Sequence, residues 1–323
     1  MNTSVKISAI NVYHPSEVRG NDYFIVRHPE IENIAKMLES FGCDKRYIAD
    51  PASENVLTMS INAAKPIIQD DNIDIILFAS TTVEYISPIH AIRLHGELNI
   101  KHSCVCIDMN SNCLGMITIF EQAAMMLKSK VSYRKALIVA SDFFSHFTNP
   151  NELVPNALMG DAAVAMVLEK TEDNSGAGLI DSMYFTDSQF VDTIVYPRYG
   201  VSQSTNMKTE KLYWNNFTGA QSLDFAIEGI KYQLKKHHLK LQDIRCFFFS
   251  QLSKTNIKKI QQGLNISWDN IEYIGDEYGY TGVNSPFVAY ASRLKKGLLH
   301  DGDLIIFWSL GAGYQTGVLL WKV

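Results

Sequence analysis

The 323-residue chain lacks the features that would mark a membrane, metal or nucleic-acid protein. Its longest apolar runs stay well short of the ~18 residues that a membrane-spanning helix needs, and MNTSVKISAINVYHP at the start has no apolar signal region. No CxxC pair or Cys/His spacing typical of a zinc site occurs. The net charge of −5 and the pI near 6.0 provide no overall positive field for nucleic acid. We therefore expect a soluble protein that binds no metal, membrane or nucleic acid.

Cysteine is also scarce, and its number is odd. A long chain with an odd number of cysteines and no paired spacing is typical of reduced thiols in the cytoplasm. The chain is 46% hydrophobic and 20% charged, which excludes disorder and allows one large domain or two fused ones. The five cysteines are Cys43, Cys104, Cys106, Cys113 and Cys246.

Apolar strand-like runs alternate with amphipathic segments, which predicts a layered α/β fold. The order repeats along the chain, and a nearly constant offset separates Ser80 from Ser250, Cys113 from Tyr280, and Val139 from Phe307. This spacing indicates a duplicated half-domain, although two unrelated α/β halves could coincide. The first-half runs are 73–80, 103–109, 136–143 and 160–170, and the second-half runs are 243–251, 270–279, 303–313 and 316–323.

The polar stretch 171–178 predicts a boundary between an N-terminal half, 1–172, and a C-terminal half, 173–323. Within each half, one amphipathic segment follows the second strand. In 114–129 apolar residues cover most of the circumference, so this helix should be buried. Its counterpart is 283–297, and a third helix is expected at 222–239.

Cys113 is the most informative residue, because it lies between a predicted strand and the start of the buried helix 114–129. A thiol at a helix N-terminus faces unpaired amides and the positive end of the dipole, so we expect a lowered pKa. An oxyanion formed beside it could use the same amides. The alternative, a small buried core cysteine, describes Cys104, Cys106 and Cys246 better.

Several motifs resemble those of the ketoacyl-carrier-protein synthase III family. The segment DMNSNCLGM around Cys113 resembles the family's nucleophile segment, and GDAAVAMVLEK resembles its glycine-aspartate strand. YGYTGVNSPFVA resembles its glycine-asparagine-threonine loop, and SLGAGYQTGVLLW its last glycine-rich turn and strand. FGCDKRYIA resembles an arginine-containing segment near the family's N-terminus. These landmarks occur in the family's order, from about residue 5 to the end.

The resemblance implies a thiolase-like five-layer αβαβα fold built from two duplicated half-domains. It also implies a homodimer, a donor that is acyl-CoA or an acyl-carrier-protein thioester, no cofactor, and a Cys-His-Asn active site. Cys113 matches the cysteine, whereas Ser250 falls on the histidine and Tyr280 on the asparagine. Gln251 takes the histidine's place only if the alignment slips, and Asn284 should point elsewhere.

The family also implies roles for residues around this site. The backbone amides of Cys113 and Ala312 would form the oxyanion hole, with Ala312 in the middle of the Gly311–Gly313 turn. Ser87 lies on the loop that caps the partner subunit's acyl pocket, where a small residue leaves room for the chain. Lys254, Lys258 and Lys259 follow Ser250 on a predicted helix, and they either dock an acidic carrier protein or form a solvated face.

Three functional hypotheses follow. The first is an acyltransferase of fatty-acid-derived or secondary metabolism, in which Cys113 takes an acyl group and passes it to an acceptor. The second is decarboxylative condensation with Ser250 and Tyr280 as substitute donors; serine cannot replace an imidazole base near neutral pH. The third is a non-catalytic partner subunit of a complete paralogue, which would make the dimer a heterodimer.

Overall fold

The computed structural model describes residues 3–70, 72–204, 206, 209–215 and 217–323. All strands of the first sheet lie between Thr3 and Glu172, and the second sheet begins at Gly178. The elements of the first part are β1 (Thr3–Tyr13), β2 (Glu17–Gly20), α1 (Asn21–Arg27), α2 (Ile34–Phe41), β3 (Lys45–Ile48), α3 (Val56–Ala64), β4 (Ile75–Ala79), α4 (His90–Glu97), β5 (Val105–Asp108), α5 (Gly115–Ser129), β6 (Lys135–Asp142), α6 (Phe144–Phe147), α7 (Leu153–Leu158) and β7 (Ala162–Glu172).

The second part contains a short hairpin and a four-stranded sheet with its helices. Its elements are β8 (Gly178–Thr186), β9 (Ile194–Val195), β10 (Tyr213–Trp214), α8 (Leu223–Lys236), β11 (Ile244–Phe249), α9 (Lys254–Leu264), α10 (Gly275–Tyr278), α11 (Ser285–Lys295), β12 (Leu304–Gly311) and β13 (Gln315–Lys322).

The two large sheets share one topology over four strands, and the first sheet has β5 as an additional edge strand. The first has the order β1-β7-β6-β4-β5, with β4 parallel to both β5 and β6, and β7 antiparallel to both β1 and β6. The second has the order β11-β12-β13-β8, with β11 parallel to β12 and the other pairs antiparallel. The strand predicted at 270–279 is wrong: only Ile271 forms a bridge, to Phe247, and α10 follows. A glycine and two acidic residues after Ile274 favour a turn and a helix start there.

Three apolar cores separate five layers. One core joins α3 and α4 to the outer face of the first sheet. The central core lies between the two sheets and contains α5 and α11, and the third joins the second sheet to α8 and α9. The predicted five-layer αβαβα arrangement is thus confirmed. Among the described residues, no helix combines the length and apolarity needed to cross a membrane.

The buried position of α5 follows from its composition. Met116, Ile119, Phe120, Ala123 and Leu127 are all fully buried between the sheets. Each large apolar side chain contributes roughly 1.5–3 kcal/mol on burial, so the helix is fixed firmly along its length. This rigidity matters because the start of α5 determines where Cys113 lies.

Candidate active site

Cys113 lies on a tight turn between β5 and α5. Asn112 adopts a left-handed conformation (φ 52°), residues 112–114 form a short 3₁₀ turn, and α5 begins at Gly115. A Cβ on Gly115 would come within 2.8 Å of Val283 Cγ2 and 2.9 Å of Ala79 Cβ. Glycine is therefore required where the starts of α5 and α11 approach one another.

Two side-chain hydrogen bonds fix this turn to the end of β12. Ser309 Oγ donates to the Cys113 carbonyl (2.8 Å), and Asn112 Nδ2 donates to the Ala312 carbonyl (3.1 Å). A Cβ on Gly311 would lie 2.7 Å from the Ser111 carbonyl, so the two turns are in close contact. Cys113 and Ala312 consequently lie at the same cavity, as an oxyanion hole would require; their role in one stays a prediction.

An apolar cavity of about 350 Å³ opens at the Cys113 turn. Its described lining contains no histidine, lysine or carboxylate. The lining residues are Thr81, Cys113, Phe144, Met159, Ile194, Leu212, Trp214, Phe217, Leu252, Tyr280, Leu310 and Ala312.

Part of the lining comes from the connection between β8 and α8, which the sequence did not reveal as part of a site. Ile194 on β9 and Trp214 on β10 pair within the short hairpin, and Phe217 follows it. The Leu212 amide donates to the Phe147 carbonyl (2.8 Å) and thereby ties the connection to α6. Tyr213 and Trp214 are adjacent aromatic residues in an otherwise irregular connection, and such a pair carries no periodic signal.

Tyr280 and Ser250 lie together beside Cys113. Ser250 Oγ approaches Tyr280 OH at 3.5 Å, a long contact for two hydroxyl groups, and both residues are almost fully buried. The Tyr280 backbone is fixed by the Leu158 carbonyl (2.8 Å) and the Gly160 amide (3.0 Å). Burial and the neighbouring Cys113 raise the pKa of Tyr280 well above its usual value, so the phenol stays protonated.

Gln251 and Asn284 do not replace the missing histidine and asparagine. Gln251 Nε2 donates to the Phe249 carbonyl (2.7 Å), and its Oε1 accepts the Ile274 amide (3.1 Å). Asn284 is buried and its Nδ2 donates to the Ala162 carbonyl on β7 (2.8 Å). The Gln251 amide and the Asn284 Nδ2 are occupied by backbone groups, in agreement with the expectation that Asn284 points elsewhere.

The pKa of Cys113 is raised, so the expectation of a lowered value is wrong. Burial raises it to about 12, and the negative charge of Asp142 contributes in the same direction. The hydroxyls of Tyr280 and Thr81 and the Cys113 amide lower the pKa but do not compensate. Because α5 begins two residues after Cys113, the thiol lies outside the first turn, where the dipole acts most strongly.

Asp142, at the end of β6, organises the backbone around the cavity. Its Oδ1 accepts Ser80 Oγ (3.1 Å), the Thr81 amide (2.7 Å) and both the amide and the hydroxyl of Thr82 (3.1 Å each). Its Oδ2 accepts the Val283 amide (2.9 Å). Burial raises its pKa to about 6 despite these bonds. A carboxylate engaged in this way is an anchor rather than a general base.

The raised pKa does not by itself distinguish Cys113 from the structural cysteines. Burial also raises the pKa of Cys43 to about 11 and that of Cys246 to about 12. On β5, the hydrogen bond from Cys104 lowers the pKa of Cys106 to about 7. Cys113 differs from all four because it lines a cavity with hydroxyl donors beside its sulfur.

The remaining predicted residues lie outside this cavity. Ser87 is exposed, next to a cis peptide bond to Pro88, and it does not line the cavity of its own chain. Lys258 and Lys259 are exposed on α9, while Lys254 Nζ lies 4.7 Å from the centre of the Tyr273 ring. Their roles in an acyl pocket and in carrier docking stay predictions. In the described part of the chain, no three metal-ligating side chains cluster.

The geometry places the protein in a defined class: a thiolase-type fold with a cysteine on the turn before the first central helix. One sequence profile, for 3-oxoacyl-[acyl-carrier-protein] synthase III, matches residues 107–188, and the profile of its C-terminal region matches 234–323. A β-ketoacyl-[acyl-carrier-protein] synthase III of Solibacter usitatus is 25% identical, with 98% of each chain covered.

Solved structures show the same fold. A 3-oxoacyl-(acyl-carrier-protein) synthase III superimposes with a TM-score of 0.90 at 20% identity, covering 99% of this chain and 100% of the other. The priming β-ketosynthase of the R1128 polyketide pathway gives 0.88 at 16% identity, covering 99% and 96%. The two profiles together span more than half of the chain. The chain therefore belongs to the 3-oxoacyl-[acyl-carrier-protein] synthase III family of the thiolase superfamily.

Proposed function

We propose that the protein is an acyltransferase that takes an acyl group from a thioester onto Cys113 and passes it to an acceptor. The observation that carries this proposal is the position of Cys113 in an apolar cavity, with the neutral Tyr280 hydroxyl beside its sulfur. A family fold, a cysteine on the nucleophile turn and a cavity for an apolar chain together support acyl transfer.

In the proposed step, the Cys113 sulfur attacks the thioester carbonyl, and the bond from that carbonyl to the donor's sulfur breaks. The thiol proton goes to the leaving sulfur, so the exchange needs no net acid or base. The Tyr280 hydroxyl donates a hydrogen bond to the Cys113 sulfur while the thiol loses its proton. The backbone amides of Cys113 and Ala312 are proposed to hold the oxyanion. Neutral donors suit this reaction because one thiol replaces another.

The apolar lining favours a donor whose acyl group is neutral and apolar. We propose an acyl-CoA or acyl-carrier-protein thioester as the donor. Exposed Lys258 and Lys259 lie on α9, which begins two residues after the cavity residue Leu252. A carrier protein's acidic surface bound there would direct its arm toward the cavity.

Decarboxylative condensation is the second candidate, and the site disfavours it. Ser250 and Tyr280 offer only hydroxyl donors, and no cation lines the described cavity to hold a malonyl carboxylate. The buried charge of Asp142 would oppose that carboxylate as well. Condensation predicts carbon dioxide release from a malonyl thioester, whereas the proposed exchange predicts none.

A non-catalytic partner subunit is the third candidate, and the raised pKa of Cys113 favours it over a freely ionised nucleophile. The family resemblance also leads us to propose a dimer, in which Ser87 would reach the partner's cavity. Native mass spectrometry of the protein isolated from its own cells distinguishes a homodimer from a pair with a second thiolase-fold chain. Acyl loading by the isolated protein would contradict a purely structural role.

The deciding experiment is intact-protein mass spectrometry after incubation with acyl-CoA and acyl-carrier-protein thioesters of graded chain length. We expect an acyl-sized mass gain that Cys113→Ala abolishes. Cys246→Ala is the matched control, because it removes a buried cysteine of similarly raised pKa away from the cavity. No adduct from any donor, on a folded protein, would refute the proposed nucleophile.

A further inference from the structure

The Thr81 hydroxyl is a buried donor without a partner at the proposed site. Thr81 lines the Cys113 cavity, and its Oγ1 has no hydrogen-bond partner. Of the buried unpartnered side-chain atoms in the described residues, it alone belongs to a residue that lines this cavity. Buried polar groups are normally satisfied, so an unpartnered one in a site indicates a partner that is present only during function.

The neighbours of Thr81 show that its free hydroxyl is not a general property of this loop. Ser80 Oγ and Thr82 Oγ1 both donate to Asp142, and Thr82 Oγ1 also accepts the Phe143 amide (2.7 Å). The Thr81 amide is held by Asp142 at 2.7 Å. The backbone is thus fixed on both sides of Thr81, whereas the Thr81 hydroxyl has no partner and lies at the cavity.

Thr81 and Cys113 line the same cavity, so the free hydroxyl lies where it can act on the thiol. Thr81 and Tyr280 both lower the pKa of the Cys113 thiol, as donors to a developing thiolate do. Tyr280 comes from the second half of the chain, and Thr81 follows β4 in the first half. The two hydroxyls therefore reach the sulfur from separate elements. A valine has the same branched shape as threonine and would leave no buried hydroxyl unsatisfied.

We infer that Thr81 is a second hydroxyl donor to the Cys113 sulfur and stabilises the negative charge that forms there. Its part in acyl transfer rests on the proposed function; its effect on the thiol does not. The hydroxyl supplies a hydrogen bond as the S–H bond breaks, and it keeps its own proton. Thr81 and Tyr280 together then provide two neutral hydrogen-bond donors to the charge that develops on the sulfur.

The test measures the reactivity of Cys113 without any acyl donor. Iodoacetamide alkylation of Cys113 is followed by peptide mass spectrometry at about pH 8, where the rate reports the small thiolate fraction. Loss of one hydrogen bond to a charged group should slow alkylation roughly tenfold in both Thr81→Val and Thr81→Ala. Thr81→Ser keeps the hydroxyl and should stay within about threefold of the native rate.

Ser141→Ala is the matched control, because Ser141 also has a buried, unpartnered hydroxyl but does not line the cavity. It should leave the alkylation rate unchanged. Native rates in Thr81→Val and Thr81→Ala would overturn the inference, and so would an equal loss in Thr81→Ser, which would assign the effect to packing. Thermal unfolding of each variant identifies any that fails to fold.

Acyl loading separates this inference from the proposed function. If no thioester loads the native protein, the proposed function fails, while the alkylation rates still decide whether Thr81 acts on the sulfur. If the native protein loads, Thr81→Val should load roughly tenfold more slowly. Loading at the native rate, despite slower alkylation, would overturn the role of Thr81 in acyl transfer.

Discussion

The two halves of the chain form similar turns before their central helices, but only the first turn carries a cysteine that lines the cavity. Residues 112–114 lead into α5, and residues 282–284 form the equivalent 3₁₀ turn before α11. Cys113 lies on the first turn, whereas Tyr280 precedes the second. The two halves thus share a framework, while the first provides the sulfur and the Thr81 hydroxyl and the second provides the Tyr280 hydroxyl.

Each turn is held by a side chain from the other half. Asp142 on β6 accepts the Val283 amide, 141 positions away, and Ser309 on β12 donates to the Cys113 carbonyl, 196 positions away. Neither half therefore forms the site alone. The residues that fix the turns bond to backbone groups, whereas Tyr280 lines the cavity and Ser250 Oγ lies 3.5 Å from its hydroxyl.

The largest effect is expected when the histidine and asparagine that the family resemblance implies are introduced into the second half. We expect Ser250→His with Tyr280→Asn to raise carbon dioxide release from a malonyl thioester at least about a hundredfold, since each such donor is typically worth 10²–10³ in rate. An imidazole at 250 would occupy part of the space that the Tyr280 ring vacates. Radiometric assay of carboxyl-labelled malonyl thioester measures the gain.

The two single variants are the controls for this experiment. Ser250→His alone would crowd the Tyr280 ring, and Tyr280→Asn alone leaves a cavity without a base, so neither should approach the double variant. A folded double variant that loads acyl groups on Cys113 and yet releases no carbon dioxide would contradict the view that these two positions alone separate exchange from condensation.

A smaller effect is expected when only the Tyr280 hydroxyl is removed. Tyr280→Phe keeps the ring and its packing but deletes a donor to the Cys113 sulfur, which is worth about 1.5–3 kcal/mol when the acceptor is charged. Single-turnover acyl loading should therefore slow roughly tenfold to a hundredfold. Stopped reactions read by intact mass spectrometry give the rate.

Tyr290→Phe provides the comparison for that variant, since Tyr290 is buried on α11 in the same half and does not line the cavity. It should load at the native rate. Equal rates for Tyr280→Phe and the native protein would show that the second half contributes only volume to the site, and they would remove the chemical distinction between the halves.

Much of the framework could be predicted from the sequence, because buried parallel strands produce continuous apolar runs. Runs such as 73–80 and 136–143 correspond to β4 and β6, and the buried helix 114–129 corresponds to α5. The strand predicted at 270–279 does not form, because the segment has too few apolar residues to extend the pairing beyond one bridge at Ile271. Cys113 and Tyr280 line one cavity, with Ser250 beside Tyr280, because equivalent strand ends meet at the same edge of their sheets.

The rest of the site depends on contacts between distant positions. The pKa of Cys113 is set by its burial and by Asp142, and neither is visible in a local motif. In the sequence, Thr81 is an ordinary polar residue after a strand. Only the structure shows that Asp142 binds the hydroxyls of Ser80 and Thr82 and leaves the Thr81 hydroxyl free. The hairpin of β9 and β10 is too short for periodicity to reveal it.

The smallest expected effect concerns how the second half limits the size of the acyl group. Leu252 lies just after β11, in a position similar to that of Thr81 after β4, but it contributes an apolar wall to the cavity. Leu252→Ala should cost about 2–5 kcal/mol of stability and enlarge the cavity by the lost methyl groups. We expect loading with the bulkier donors of a chain-length series to improve about threefold to tenfold relative to short ones, since each added methylene is worth roughly 1 kcal/mol of burial.

Leu264→Ala on α9 separates this effect from general destabilisation. Leu264 is buried in the same apolar core as Leu252, but it does not line the cavity. It should lose comparable stability by thermal unfolding and keep the native order of donors in competition assays read by mass spectrometry. An identical shift in both variants would mean that loosening the second half, rather than the shape of the wall at Leu252, determines which chains enter. Selective change in Leu252→Ala would show that the loop after β11 in the second half limits the size of the acyl chain.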